Sequence, residues 1–264
     1  MDLQLEGKSA LVSGSTAGIG LAVALALAKE GAAVTVNGRT RQRVDAAVEL
    51  IAKAAPKAQV MGVAADLAKP EGTRALLTEL PAVDILVNNL GIYRAVAFQD
   101  ISDDQWQEML SVNVISAARL TRAYLPGMLA RNWGRVMFIS SESGINIPVE
   151  MIHYGVSKTA MLALSRGLAQ TTAGTGVTVN AVLPGPTRSE GVAGFLKEMA
   201  ANRGGDQEAV ERDFFTNIRP TSLLKRFAEP EEVANMVAYV ASPRSAATNG
   251  AALRVDGGVV NMPF

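Results

Sequence analysis

Short apolar runs rich in Val, Ile and Leu alternate along this chain with longer stretches whose apolar residues recur at the helical period. Ser9–Ser13, Ala33–Asn37, Gln59–Val63, Asp84–Asn88, Arg135–Ser140, Val177–Leu183 and Ala251–Val255 have the nearly continuous apolar character of strands covered on both faces. Between them, Ile19–Glu30, Arg41–Ala54, Pro70–Glu79, Asp103–Ala130, Tyr154–Thr171 and Pro230–Ala241 read as helices. The alternation predicts a doubly wound α/β fold: a seven-stranded parallel sheet, helices on both faces and right-handed crossovers. No linker, charge block or internal repeat divides the chain, so a single domain is expected. The least regular stretch runs from Pro184 to about Ala228, with short amphipathic pieces at Phe195–Met199 and Phe214–Ile218. An insertion of that length reads as a substrate lid at about 186–228.

Composition narrows the chemistry. The 25 basic and 25 acidic residues cancel, which gives no reason to expect nucleic acid or an anionic membrane as partner. There is no cysteine, and His153 is the single histidine. Disulfides, thiol nucleophiles and Cys/His zinc sites are thereby removed, and with them a zinc-dependent alcohol dehydrogenase mechanism. The first residues lack the pattern of a signal peptide, and no apolar run approaches the ~18–20 residues of a membrane span. A cytoplasmic location is expected.

Ser13-Gly14-Ser15-Thr16-Ala17-Gly18-Ile19-Gly20 follows the first strand and opens the first helix. Glycines there let the backbone approach a pyrophosphate, and the helix N-terminus offers free N–H groups. The spacing is G-x-x-x-G-x-G, neither the commoner G-x-G-x-x-G nor a Walker A loop. Its bland alternative is a tight strand–helix connection. The second strand ends at Asn37-Gly38-Arg39 with no acid before Asp45, so Arg39 is a candidate partner for a ribose 2′-phosphate. NADP is favoured over NAD on that ground; the alternative is a solvated arginine. Asp66-Leu67 is a candidate adenine contact after the third strand. Asn88-Asn89-Leu90-Gly91 closes the fourth, where buried asparagines usually satisfy backbone groups.

Tyr154 and Lys158 stand four apart in a predicted helix and share a face. Free tyrosine titrates near pH ~10, and bringing it to neutrality takes roughly 4 kcal/mol in favour of the phenolate. An ammonium at about 5 Å supplies on the order of 3 kcal/mol at an effective dielectric of 20. Lys158 with an oxidised nicotinamide therefore covers most of the shift. Ser141, at the end of the fifth strand, can donate to a carbonyl oxygen as charge develops on it. Asn113 lies inside an apolar helix, where it either bonds neighbouring backbone or holds a water linking Lys158 to solvent.

With these residues in place, the chain resembles the single-domain branch of the short-chain dehydrogenase/reductase family, from about Glu6 to Gly258, and is similar to 3-oxoacyl reductase-like members. The resemblance rests on Gly14, Gly18 and Gly20, Asp66, Asn88-Asn89-Leu90-Gly91, Asn113, Ser141, Tyr154, Lys158, Pro184-Gly185 with Thr187, and Asp256-Gly257-Gly258. It implies a Rossmann-type fold and a catalytic tetrad of Asn113, Ser141, Tyr154 and Lys158. It also implies cofactor contacts from Gly14, Ser15, Thr16, Gly18, Ile19, Gly20, Asn89, Gly91, Pro184 and Gly185. Lys158 would bond the nicotinamide ribose, Thr187 would help hold the carboxamide, and the enzyme would be a homotetramer. Ser13 stands where the family usually has Thr, Leu90 replaces a small residue, and Ala17 occupies a position often basic in NADP-preferring members.

The expected activity is hydride transfer between a nicotinamide cofactor and a carbonyl or alcohol, with Tyr154 as general acid/base. The alternative is a sensor or scaffold that binds cofactor without chemistry, which would be expected to have lost part of the tetrad. His153 should point away from the catalytic face, and Glu142 should face solvent unless it binds a polar substrate group. Phe195, Leu196, Met199, Phe214, Phe215 and Ile218 are candidate pocket walls, or else pack the lid onto the body. The substrate itself stays open.

Overall fold

A computed structural model describes residues 1–189 and 207–263. Seven strands, β1 (Ser9–Val12), β2 (Ala33–Gly38), β3 (Val60–Ala64), β4 (Ile85–Asn88), β5 (Gly134–Ile139), β6 (Val177–Pro184) and β7 (Ala252–Val255), form one sheet in the order β3-β2-β1-β4-β5-β6-β7. Every pair is parallel, with Val12 opposite Val36 and Val87, Asn88 opposite Phe138, and Ile139 opposite Val182. The chain reverses its order of addition between β1 and β4, and such a switch point opens a crevice at the carboxyl ends of the strands.

Alternate strand residues feed two separate cores. Val12, Ile85, Val87, Met137, Ile139 and Val182 face the side covered by helices α1 (Gly18–Lys29) and α2 (Arg41–Ala54), together with the late helix Pro230–Ala241. Leu11, Leu86, Val136, Phe138, Ala181 and Leu183 face the other side. There they meet α3 (Pro70–Glu79), α5 (Ser116–Ala130) and α6 (Ile152–Thr171). The period-2 division follows from the pleat and explains why the strands read as continuous apolar runs.

The long helix expected over Asp103–Ala130 is interrupted. It runs as α4 (Asp103–Leu110), a π-helical turn at Ser111–Ile115, then α5. Asn113, at the centre of that turn, is fully buried. The stretch expected to be least regular carries helical structure in its described part, including the amphipathic piece at Phe214–Ile218. There α7 (Gln207–Asp213) leads into a second π turn, Phe214–Ile218, and α8 (Pro230–Ala241) follows. Val210, Phe214, Phe215 and Phe227 form a small core of their own, with the three aromatic rings 5.0 Å apart centre to centre. The Phe195–Met199 piece, with Phe195, Leu196 and Met199, lies outside the described residues. Among the described residues, no helix is long and apolar enough to cross a membrane.

Candidate active site

The parallel sheet delivers four segments to one edge: the glycine turn after β1, Asn89–Gly91 after β4, Ser140–Ser141 after β5, and Gly185–Thr187 after β6. Gly14 and Gly18 both have positive φ, +62° and +54°, which L side chains resist. A Cβ on Gly20 would stand 2.4 Å from Asn89 Nδ2 and 2.6 Å from the Gly14 carbonyl oxygen, so that position has room only for glycine. Helix α1 begins at Ala17 without a side-chain cap and without an acid in its first turn. Its first N–H groups and the positive end of its dipole are left for an anion. The turn therefore fits a dinucleotide pyrophosphate.

Side chains around the turn are committed to backbone. Ser13 Oγ accepts from the Asn89 and Leu90 N–H groups at 3.0 Å each, and Asn89 Nδ2 donates to the Ser13 and Gly14 carbonyls at 3.0 Å. Asn37 Oδ1 accepts from Gly14 N–H at 3.2 Å, while its Nδ2 donates to the Val63 and Ala65 carbonyls at 3.1 Å. Two expectations change as a result. The Ser15 hydroxyl is fully buried, donating to the Val12 carbonyl and accepting from Asn37 N–H, so it braces the turn and does not face a ligand. The Leu67 side chain is buried in the core, and its carbonyl accepts from Arg119. Asp66 Oδ1 accepts from Ala68 N–H at 3.2 Å, closing a local turn. Arg39 is exposed at the end of β2 and makes no ion pair or hydrogen bond among the described residues. It follows Gly38, where a Cβ would meet Thr16 Cγ2 at 2.4 Å, so Arg39 emerges beside the glycine turn.

Ile19, Asn89, Gly91, Ser141, Tyr154, Lys158, Pro184, Gly185 and Thr187 border one cavity of ≈ 1190 Å³. Gly14, Ser15, Thr16, Gly18, Gly20, Arg39, Asp66 and Leu67 do not border it; they lie further along the same sheet edge. Asn113 stands behind its wall. Its Oδ1 accepts from Ile92 N–H at 2.8 Å, and its Nδ2 donates to the Ile92 carbonyl at 3.0 Å and to Ser157 Oγ at 2.9 Å. Of the two roles open to Asn113, backbone bonding is the one the geometry displays. The π turn swings it out of the helix to clip the β4 loop onto α6.

Lys158 is buried, its ammonium donating to the Ile139 carbonyl at 2.9 Å and lying 5.6 Å from the centre of the Tyr154 ring. Ser141 Oγ accepts from Ser143 N–H at 3.1 Å, which leaves its own proton free to donate, and it lowers the Tyr154 phenol from close by. Burial pushes the Tyr154 phenol up to about 12, outweighing the effect of Ser141. Burial likewise pushes Lys158 down to about 8. Desolvation of the phenolate outweighs Coulomb attraction, so the lowering expected for Tyr154 is reversed in this structure.

Glu142 differs from expectation too. It is buried, not solvent-facing, and ion-paired with Arg219 at 3.4 Å. Burial raises its carboxyl, with Arg219 and Ser143 opposing the rise. His153 lies away from the cavity as expected, edge-on to Trp106 with ring centres 5.9 Å apart. Of the lid aromatics, Phe214 and Phe227 border the cavity with Ile218, whereas Phe215 stays within the lid's own core. Arg219, Glu150 and Tyr93 border the cavity without having been expected there. No local pattern marks them. Asn37 did carry a signal, as a polar residue ending an apolar strand.

Comparison with known proteins agrees with this geometry. The family profile described as short chain dehydrogenase matches residues 8–200. The uncharacterized oxidoreductase YvrD of Bacillus subtilis is 46% identical over 263 residues, covering 98% of this chain and 99% of that protein. D-beta-hydroxybutyrate dehydrogenase of Cupriavidus necator is 33% identical over 260 residues, covering 97% and 99%. The crystal structure of L-sorbose reductase from Gluconobacter frateurii, complexed with NADPH and L-sorbose, superposes with a TM-score of 0.93 at 32% identity, covering 99% of this chain and 100% of that one. This chain belongs to the short-chain dehydrogenase family and is an NAD(P)-dependent oxidoreductase acting on alcohol and carbonyl groups.

Proposed function

We propose that the enzyme interconverts a ketone and its secondary alcohol with NADP as the preferred cofactor, Tyr154 carrying the proton. The observation behind this reading is the meeting of Ser141, Tyr154 and Lys158 on one cavity beside an uncapped, glycine-lined helix start. Gly14, Gly18, Ile19 and Gly20 would hold the pyrophosphate, with Thr16 beside them. Asp66 and the Leu67 backbone would meet adenine, Asn89 and Gly91 the adjoining segment, and Lys158, Pro184, Gly185 and Thr187 the nicotinamide end. A bound nicotinamide supplies or accepts the hydride and, when oxidised, adds a positive charge to the site.

In the reductive direction Ser141 donates a hydrogen bond to the substrate carbonyl oxygen. Tyr154 Oη transfers its proton to that oxygen as the alcohol forms. Lys158, whose ammonium is held over the Tyr154 ring, stabilises the phenolate left behind until a proton from solvent restores the phenol. The reverse direction uses the same groups in opposite roles. A homotetramer and a cytoplasmic location belong to the same reading; exposed Ile115, Leu223 and Tyr239 support an assembly. Sedimentation velocity and cell fractionation check these two.

Tyr154→Phe is the decisive variant. Turnover should fall by about 10²–10⁴-fold while calorimetry shows NADPH bound as in the parent enzyme. Turnover within a few-fold of the parent would contradict the assignment. For the cofactor, Arg39 is exposed and uncommitted, and the L-sorbose reductase structure contains NADPH. Arg39→Ala should weaken NADPH by about 10- to 100-fold, the range of a charge-assisted hydrogen bond, and leave NADH little changed. An equal effect on both dinucleotides removes Arg39 from the 2′-phosphate.

A further inference from the structure

The cavity wall next to Ser141 carries a charged cluster that proton transfer does not use. Glu142 follows Ser141 directly, and its side chain is only 5% exposed. Arg219 Nε donates to Glu142 Oε1 at a long 3.4 Å, whereas Oε2 is buried and has no hydrogen-bond partner among the described residues. Arg219 Nη1 donates to Glu150 Oε1 at 3.1 Å and to the Ile218 carbonyl at 3.0 Å, and the guanidinium lies 5.8 Å from the Phe214 ring centre. Glu142, Glu150 and Arg219 all border the cavity that Ser141 and Tyr154 border.

A buried carboxylate oxygen without a donor is costly unless a ligand brings one. The arrangement thus suits a substrate O–H. It suits a substrate carboxylate badly. Arg219 sits between two carboxylates, so a third anion would meet a cluster that is already net negative. The other cations on the cavity wall are committed as well: Arg94 pairs with Glu108 at 3.2 Å and Lys158 donates to Ile139. Because Ser141 and Glu142 are consecutive, their Cα atoms stand ~3.8 Å apart. A substrate whose carbonyl sits on Ser141 shares the cavity with Glu142 and can present a neighbouring group to it.

We propose that Glu142, oriented by Arg219 and Glu150, accepts a hydrogen bond from a substrate hydroxyl beside the reacting carbonyl and so selects neutral hydroxylated ketones over oxo acids. This rests on the reading of Ser141 and Tyr154 as the catalytic groups. Hydroxyacetone, butanone and acetoacetate test it with NADPH, since the first two share a shape and differ by the hydroxyl, while the third carries the carboxylate. The parent enzyme should show kcat/KM for hydroxyacetone at least about tenfold above both others, as expected for a bond to a charged group.

Glu142→Gln should then move two ratios in opposite senses. The hydroxyacetone advantage over butanone should shrink by about tenfold, mainly through KM. Acetoacetate should gain on butanone, because Arg219 has lost one of its two carboxylates. Equal losses on all three ketones would assign Glu142 a structural role and overturn the proposal. So would a parent enzyme that treats hydroxyacetone and butanone alike or prefers acetoacetate, a result that needs no variant to fold. A parent enzyme that bound NADPH but reduced none of the three would overturn the subsite proposal, while the catalytic reading is judged apart from it by Tyr154→Phe on a ketone that the parent does reduce.

Discussion

The floor of the site and its lid are held by different forces. On the floor, Ser13, Asn37, Asn89 and Asn113 are neutral, and each ties side-chain atoms to backbone between strands distant in sequence. In the described part of the proposed lid, ionic ties are added to backbone ones. Arg188 grips Glu211 with paired bonds of 3.1 and 3.0 Å and also reaches Glu229, while Arg219 bridges Glu142 and Glu150. A single parallel bridge, Thr187 with Ala228, closes the neck of the lid. Neutral bonds inside a packed sheet edge hold the cofactor seat in one geometry. The described part of the 186–228 segment has a small aromatic core of its own and is joined to the floor by the buried Glu142–Arg219 pair and by backbone bonds from Leu223 and Leu224 to Gly257.

Breaking the floor should have the largest effect. Gly20→Ala places a methyl group 2.4 Å from Asn89 Nδ2 and 2.9 Å from Ser15 Cα, against groups that are themselves pinned. The turn has to open, and cofactor affinity should fall by about 5- to 150-fold, the equivalent of 1–3 kcal/mol of overpacking. Titration of NADPH fluorescence would measure it. Affinity near that of the parent would show that the floor yields, and the contrast with the lid would go.

Phe227→Ala should touch the other side alone. Phe227 is 1% exposed and lies 5.0 Å from both Phe214 and Phe215, tilted against the first and edge-on to the second, in a core separate from the two that flank the sheet. Losing it should raise substrate KM by roughly tenfold, through local loosening worth a few kcal/mol. NADPH affinity should stay within about twofold. Steady-state kinetics and a cofactor titration on the same variant decide it. A matching loss in cofactor binding would mean that floor and lid form one cooperative unit.

How far each region was legible in sequence follows from the same contrast. Strand ends agree to within a residue, and Arg41–Ala54, Pro70–Glu79 and Pro230–Ala241 begin and end where expected. Local signals define them: apolar runs for the strands, and a proline at the first turn of two of the helices. The π turn at Asn113 was hidden because its cause is tertiary, a side chain drawn out to bond Ile92 and Ser157. Ser15 looked like a phosphate contact since its partner, Asn37, lies 22 residues on. Glu142 was placed in solvent because Arg219, which holds it inside, is 77 residues away. Tyr154, Lys158 and Ser141 were found through order and spacing, whereas their proton affinities depend on burial that spacing does not encode.

The smallest expected effect probes the floor through Lys158. Burial disfavours its charge and pushes the ammonium down to about 8 in the fold, from 10.5 in the open chain. Below pH 8 both states carry the proton, and the folded one bears the full cost. Between pH 8 and 10.5 the unfolded chain binds more protons, so this group's contribution to stability rises with pH and then levels off. Lys158→Met removes the titration. Urea unfolding at pH 7.5 and 9.5 should show the parent gaining on the variant by on the order of 1–2 kcal/mol, with other groups cancelling in the difference. A flat difference would place the ammonium in water, not in the dry floor that separates it from the lid. A difference of opposite sign would mean that a buried anion had raised Lys158, and its hold on Tyr154 would need a different explanation.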